Sequence, residues 1–233
     1  MKLGIMQPYF MPYIGYWQRI KAVDQYVIYD DVNYIKNGWM NHNRIIVNKQ
    51  EQLFTIPLVG ASPNKLINEV GLDPTDKKRV NMIKTLEMAY RKAPHYEEGM
   101  SVLKPILESQ ETNFAKFLEF QIRTICDYLD INTKLIVSSD IKKNNSLKAQ
   151  DKVIEICKIL GATEYYNALS GEELYSKEDF DKEGIKLVFI KDKSSITYKQ
   201  LSPEYTPSLS IIDVLMNCSK EEIVKMLDDY ELF

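Results

Sequence analysis

This chain of 233 residues has few of the residue types that mark familiar chemistries: it carries 3 cysteines, 2 histidines and 9 glycines. Cys126, Cys157 and Cys218 are widely spaced and form no C-x-x-C pair, so they read as reduced residues of the interior. With only His42 and His95 to add, the usual zinc clusters cannot be assembled, and no metal is expected. The glycines fall into none of the patterns G-x-G-x-x-G, G-x-x-x-x-G-K-[ST] or G-x-S-x-G, which sets aside dinucleotide, P-loop and α/β-hydrolase readings. Neither sign of charge dominates: 30 Lys and Arg stand against 33 Asp and Glu, for a net charge of −3. An electrostatic footprint for nucleic acid or an anionic membrane is therefore lacking. No apolar run is long enough to span a bilayer, and the apolar start Leu3 to Met6 turns polar and proline-rich too soon for a signal peptide. A cytoplasmic location is expected. Repeats and low-complexity segments are absent.

With 45% hydrophobic residues, there is enough apolar material for a shared core, and a single domain over 1–233 is expected. Short runs rich in β-branched and aromatic residues predict strands at Leu3 to Met6, Tyr26 to Tyr29, Arg44 to Val47, Phe54 to Leu58, Leu135 to Ser138, Glu164 to Asn167 and Lys186 to Ile190. Apolar residues at three- and four-residue steps predict helices from Phe114 to Leu129 behind Asn113, from Ala149 to Leu160 ending at Gly161, and from Asp76 to Arg91. Ser219 and Glu222 have the spacing of a capping box for a last helix. Strand, helix, strand is the unit of a parallel sheet. The fold class is therefore α/β, a mainly parallel sheet with flanking helices. Near residues 31–75 the alternation gives way to an antiparallel β-hairpin insertion, its turn read at Asn48-Lys49-Gln50-Glu51. Lys142 to Ser146 and Lys191 to Pro207 are polar connections, the second expected near the site.

Open parallel sheets bind ligands at the carboxyl ends of their strands, so the residues after each strand are the first candidates. After the first strand, two prolines stiffen a segment in which Gln7, Tyr9, Tyr13 and Tyr16 offer flat faces and polar tips to a sugar or a base. The same aromatics would serve equally to wedge the first helix onto the sheet. After the second strand come Asp30 and Asp31, which could accept hydrogen bonds from a ligand, act as a base, hold Mg²⁺, or cap a turn. Strand alternation sends them to opposite sides. Tyr34, Lys36, Trp39, Asn41, Asn43 and Arg44 follow as candidate binding residues, the two cations for phosphate. His42 is a candidate base, with Asp31 as the partner that would orient it. Asn167 and Ser170 complete the set, Ser170 and Gly171 opening a helix whose free amides would face an anion. The candidate catalytic residues are thus Asp31, His42 and Asp30.

The run Met6-Gln7-Pro8-Tyr9-Phe10-Met11-Pro12-Tyr13-Ile14-Gly15-Tyr16, followed by Tyr29-Asp30-Asp31-Val32-Asn33-Tyr34-Ile35-Lys36, resembles the opening of the WbqC-like protein family. The resemblance continues through Gly38 to Arg44, Tyr90 to Tyr96, Ile156 to Thr163 and Leu209 to Asp213. It implies a bacterial protein of surface-polysaccharide (O-antigen) biosynthesis that transfers an acyl or aminoacyl group to a nucleotide-linked amino sugar. No tightly bound cofactor is implied; acyl-CoA, an acyl carrier protein or an activated amino acid would be the co-substrate. The alternatives are a non-catalytic sugar-nucleotide binder of the same pathway and a Mg²⁺-dependent nucleotidyltransferase. The latter rests on the similarity of the opening strand, turn and helix to nucleotidylyltransferase-like Rossmann folds, an analogy of fold alone.

Overall fold

The structure, a computed structural model, describes residues 1–193 and 196–233, with the side chain of Ser170 outside that description. Along the chain the elements are β1 (Lys2–Met6), α1 (Ile14–Lys21), β2 (Gln25–Ile28), β3 (His42–Val47), β4 (Gln50–Thr55), α2 (Lys77–Val80), α3 (Met82–Tyr90), α4 (Tyr96–Leu107), α5 (Phe114–Tyr128), β5 (Lys134–Val137), α6 (Ala149–Leu160), β6 (Glu164–Ala168), α7 (Lys177–Lys182), β7 (Lys186–Asp192), α8 (Ile211–Asn217), α9 (Lys220–Met226) and β8 (Tyr230–Leu232). The main sheet runs β5-β2-β1-β6-β7-β8, parallel throughout except for β8. Chain order reverses at β1, which has β2 on one side and β6 on the other. That reversal is the topological switch point of a doubly wound, Rossmann-like sheet.

Strand alternation divides the interior into two layers. Leu3, Ile5, Val27, Tyr165, Leu187 and Phe189 face Val153 and Ile156 of α6 and Phe180 of α7. Tyr26, Ile28, Tyr166, Val188 and Ile190 face the other way, into the larger layer with α1, α3, α4, α5 and α8. The α6 helix ends where the sequence indicates, because Gly161 takes the left-handed conformation at φ 70° that closes the last turn. Asn113 caps α5 and accepts from the Lys116 amide. The Ser219–Glu222 capping box starts α9.

Three expectations need correction. The hairpin β3–β4 forms a separate antiparallel ribbon, but its turn is Asn48-Lys49 alone, both left-handed at φ 51° and 64°. Gln50, Glu51 and Gln52 are strand residues, a polar stretch that pairs because the ribbon's outer part is exposed and needs no apolar side chains. The helix expected from Asp76 to Arg91 breaks at Asn81, so that Arg79 turns inward and donates to the carbonyls of Ser109 and Glu111. Helix α4, which carries Pro105, was not expected; it is held by packing against α5 and α8. No helix among the described residues is long and apolar enough to cross a membrane.

Candidate functional site

The proline-rich turn after β1 is clamped from several directions. Gln121 of α5, fully buried, accepts from the Met11 amide at 3.0 Å and donates to the Tyr9 carbonyl at 2.9 Å. The Phe10 amide donates to the Met40 carbonyl, and the Trp17 indole to the Pro12 carbonyl at 3.1 Å. Tyr16 has no exposed surface and donates its hydroxyl to the Gln7 carbonyl at 3.2 Å. Tyr16, expected at the ligand, is thus corrected to a core residue that fixes the turn.

That rigid turn forms one wall of a cavity of about 320 Å³ at the switch point. Its lining includes Gln7 and Tyr9 after β1, Tyr29 after β2, and Asn167, Gly171 and Tyr175 at and beyond the end of β6. Tyr9 donates to the Gln7 side-chain oxygen at 3.1 Å, and the Asn167 side-chain oxygen accepts from the Ala168 amide at 2.8 Å. Gly171 lets the chain close over Asn167, since a Cβ there would lie 2.8 Å from its side-chain nitrogen. The stretch Leu169–Leu174 is a short 3₁₀ segment, which corrects the expectation of a helix presenting amides to an anion. Ser170, as a candidate side chain, lies outside the described residues.

Behind Tyr29 stands an ionic cluster. The Asp31 carboxylate is 2.7 Å from Lys143 Nζ and 3.3 Å from Lys152 Nζ, with side-chain exposures of 9%, 1% and 8% respectively. Burial pushes the Asp31 carboxyl up, but the Lys143 hydrogen bond and the charges of both lysines outweigh it and hold the group below its ordinary value. Lys152 Nζ also sits 5.5 Å above the Tyr29 ring. Asp30 points elsewhere: it accepts from the Ser139 amide at 2.9 Å and hydroxyl at 2.7 Å, and from Asn68 at 3.2 Å. The two neighbours therefore do not act as a pair, as strand alternation implies.

The hairpin residues form a second group. His42 lies against the half-exposed Trp39 ring at 5.2 Å, and its Nδ1 is 3.4 Å from the Asn41 side-chain oxygen. Burial lowers its pKa from the ordinary imidazole value. The expected Asp31–His42 partnership does not form, because Asp31 is taken by the two lysines. Arg44, expected at phosphate, instead donates to Glu51 at 2.9 Å and to the carbonyls of Pro207 and Ser208 at 3.1 and 3.2 Å. Asn43 is buried and accepts from the Arg44 amide. Tyr34 is buried, its hydroxyl 3.3 Å from Asn41. Lys36 is exposed.

Tyr13 lines a second cavity at the same edge, of about 300 Å³, together with Asp192, Lys193, Tyr198, Tyr205 and Ser208. Of the connection beyond Lys191, expected near the site, Ile196, Tyr198, Tyr205, Pro207 and Ser208 line this second cavity and not the one at the switch point; Ser194 and Ser195 lie outside the described residues. Tyr198 anchors that connection by donating to the buried Asp213 at 2.8 Å, which also accepts from Tyr90 at 2.8 Å.

Sequence reasoning missed Tyr29, Tyr175, Lys143 and Lys152. Lys152 had left a trace: it precedes Val153 and lies four residues before Ile156, on the apolar stripe of α6 where a lysine needs a buried partner. Lys143, in a polar connection, left none.

A doubly wound, mostly parallel sheet with a polar and aromatic cavity at its switch point defines a Rossmann-like α/β protein. More specifically, the chain belongs to the WbqC-like protein family, which matches residues 7–225. It is 32% identical over 222 residues, covering 94% of this chain and 95% of the relative, to the uncharacterized protein Rv1507c of Mycobacterium tuberculosis. No solved structure matches the chain.

Proposed function

We propose that this protein is a transferase of bacterial surface-polysaccharide biosynthesis that adds an acyl or aminoacyl group to the amine of a nucleotide-linked amino sugar. The switch-point cavity carries this reading: Gln7, Tyr9, Asn167 and Tyr175 supply amide and phenol groups to sugar hydroxyls, while Tyr9, Tyr29 and Tyr175 supply flat faces. At about 320 Å³ it falls at the small end of ligand pockets, which run from about 300 to 1,000 Å³, and suits a sugar with its nucleotide extending along the open edge. Acyl-CoA, an acyl carrier protein or an activated amino acid is the donor. With a thioester donor, the sugar nitrogen attacks the carbonyl carbon, a C–N bond forms, the C–S bond breaks, and the amine proton passes by way of a base to the departing thiolate. Neither candidate base stands in the cavity wall: two lysines hold the charge of Asp31 in place, and His42 belongs to the hairpin group outside the lining.

One observation favours the second reading, a non-catalytic sugar-nucleotide binder: the cavity lining holds no Asp, Glu, Lys or His side chain. The two readings part in one experiment. Purified protein is incubated with uridine- or thymidine-diphosphate amino sugars and each donor class, and products are read by mass spectrometry alongside binding by calorimetry. Acylated sugar establishes the transferase; binding without product from any donor establishes the binder; neither binding nor product rejects both.

A further inference from the structure

The second cavity at the carboxyl edge, about 300 Å³ in volume, is walled in part by three tyrosine rings, each fixed from behind. Tyr198 donates its hydroxyl at 2.8 Å to Asp213, a carboxylate with no exposed surface and no cationic partner among the described residues. Desolvating a carboxylate is unfavourable, and here its side chain holds two phenols, Tyr198 and Tyr90. Tyr205 donates to the Ile196 carbonyl at 2.9 Å and meets Tyr198 edge to face, the rings at 90° with centroids 5.8 Å apart. Tyr13 donates to Asp192 at 3.4 Å, and its ring lies over Gly15, where a Cβ would come within 2.6 Å of it. All three hydroxyls are engaged with the protein, which leaves ring surface, beside Ile14 and Val214, to face the cavity.

In charge, this cavity complements the one at the switch point. The switch-point lining contains no charged side chain, whereas Lys191, Asp192 and Lys193 line the second cavity. Lys193 is paired with Asp229 at 2.8 Å, and Asp192 accepts from Tyr13. Lys191 is exposed and has no ion pair among the described residues, so it is the charge of the lining left for a ligand. The two cavities are also close. Ala168, in the wall of the first, is paired across the β6–β7 ladder with Ile190, and Lys191 of the second follows directly. Neighbouring strands lie about 4.8 Å apart. The turn from Gln7 to Tyr13 joins them as well, with its first residue in one lining and its last in the other. Ile5 of the first cavity belongs to the α6 layer, and Ile14 and Val214 of the second to the opposite layer. A ligand filling both therefore crosses the carboxyl edge of the sheet, where open α/β sheets bind their ligands.

We propose that the second cavity seats the nucleobase of the nucleotide-linked substrate against Tyr13, Tyr198 and Tyr205, with Lys191 at the diphosphate and the sugar in the switch-point cavity. The inference rests on the reading above that the substrate is a nucleotide-linked sugar, but it does not depend on acyl transfer. A base has flat faces that stack on aromatic rings, whereas a sugar needs polar partners, and the tyrosine hydroxyls of this lining are already committed. The amide and phenol groups that a sugar needs stand instead in the first cavity.

The test uses the full chain and probes that carry neither the amino sugar nor an acyl group: uridine diphosphate, thymidine diphosphate and inorganic pyrophosphate. Calorimetry is recorded for wild type, Tyr205→Leu and Lys191→Gln. One of the nucleoside diphosphates is expected to bind wild type at least about tenfold more tightly than pyrophosphate, because the base adds its stacking contact. Tyr205→Leu is expected to weaken that nucleoside diphosphate about tenfold and to leave pyrophosphate unchanged, whereas Lys191→Gln, a change at an exposed residue, is expected to weaken both. The 5-iodo analogue of the bound nucleoside diphosphate, irradiated with wild type, places the base directly: cross-links read by peptide mass spectrometry are expected at Tyr13, Tyr198 or Tyr205. If Tyr205→Leu does not fold, the cross-link decides. Both variants binding as wild type does, or cross-links confined to the switch-point cavity, overturns the proposal. Wild type that binds a nucleotide-linked amino sugar but neither nucleoside diphosphate overturns it too, and leaves the reading above standing. Binding with the expected losses but no acylated product overturns only the transferase reading.

Discussion

Replacing Asp31 by asparagine removes the one carboxylate that, among the described residues, pairs with Lys143 and Lys152, while leaving side-chain volume nearly unchanged. Both ammonium groups are nine-tenths or more buried and both lie within 3.3 Å of the same carboxylate oxygen, so the variant leaves two neighbouring buried cations facing each other. Breaking a buried ion pair by deleting one partner costs about 3–5 kcal/mol, because the remaining charge stays desolvated. In a chain of this size each kcal/mol is worth about 2–4 °C, so Asp31→Asn should melt about 6–20 °C below wild type by differential scanning calorimetry. Adding Lys143→Met should recover part of that loss, since one buried charge is removed. The pH dependence has a definite sign. A carboxyl whose folded pKa lies below its unfolded value of about 3.9 contributes stability above that value and loses it as pH falls through the folded pKa. Wild type should therefore lose stability below about pH 4 with a contribution near 1.4 kcal/mol per pH unit from this group, and Asp31→Asn should lack that contribution. Melting of Asp31→Asn within a degree or two of wild type at pH 7, or a double variant less stable than the single one, would refute the electrostatic account.

Three further outcomes follow from local geometry. Gly161→Ala should cost about 1 kcal/mol, read as a fall in the urea midpoint at unchanged m, because the left-handed residue closing α6 would carry a Cβ. Gly171→Ala should leave the melting temperature within a few degrees but weaken sugar-nucleotide binding measured by calorimetry, because its Cβ displaces Asn167 in the cavity wall. Cys126, Cys157 and Cys218 are all buried, and burial pushes each thiol up to about 12, so an aromatic disulfide reagent at pH 8 should label none in the native protein and all three in denaturant.

Much of the architecture was legible because it rests on local signals. The apolar stripe of α5, the Gly161 stop, the capping box at Ser219 and the short β-branched strands are written within a few residues of where they act. The opening motif carried the family, and the positions after β1, β2 and β6 pointed to the sheet edge, where Gln7, Tyr9 and Asn167 do meet in one cavity. The failures have a common cause. The two halves of helix 76–91, the fate of Arg44 and the partners of Asp31 depend on residues far away in the chain: Glu111 for Arg79, Ser208 for Arg44, Lys143 and Lys152 for Asp31. A local pattern shows that a charge is present, but only the tertiary structure decides whether another charge neutralises it.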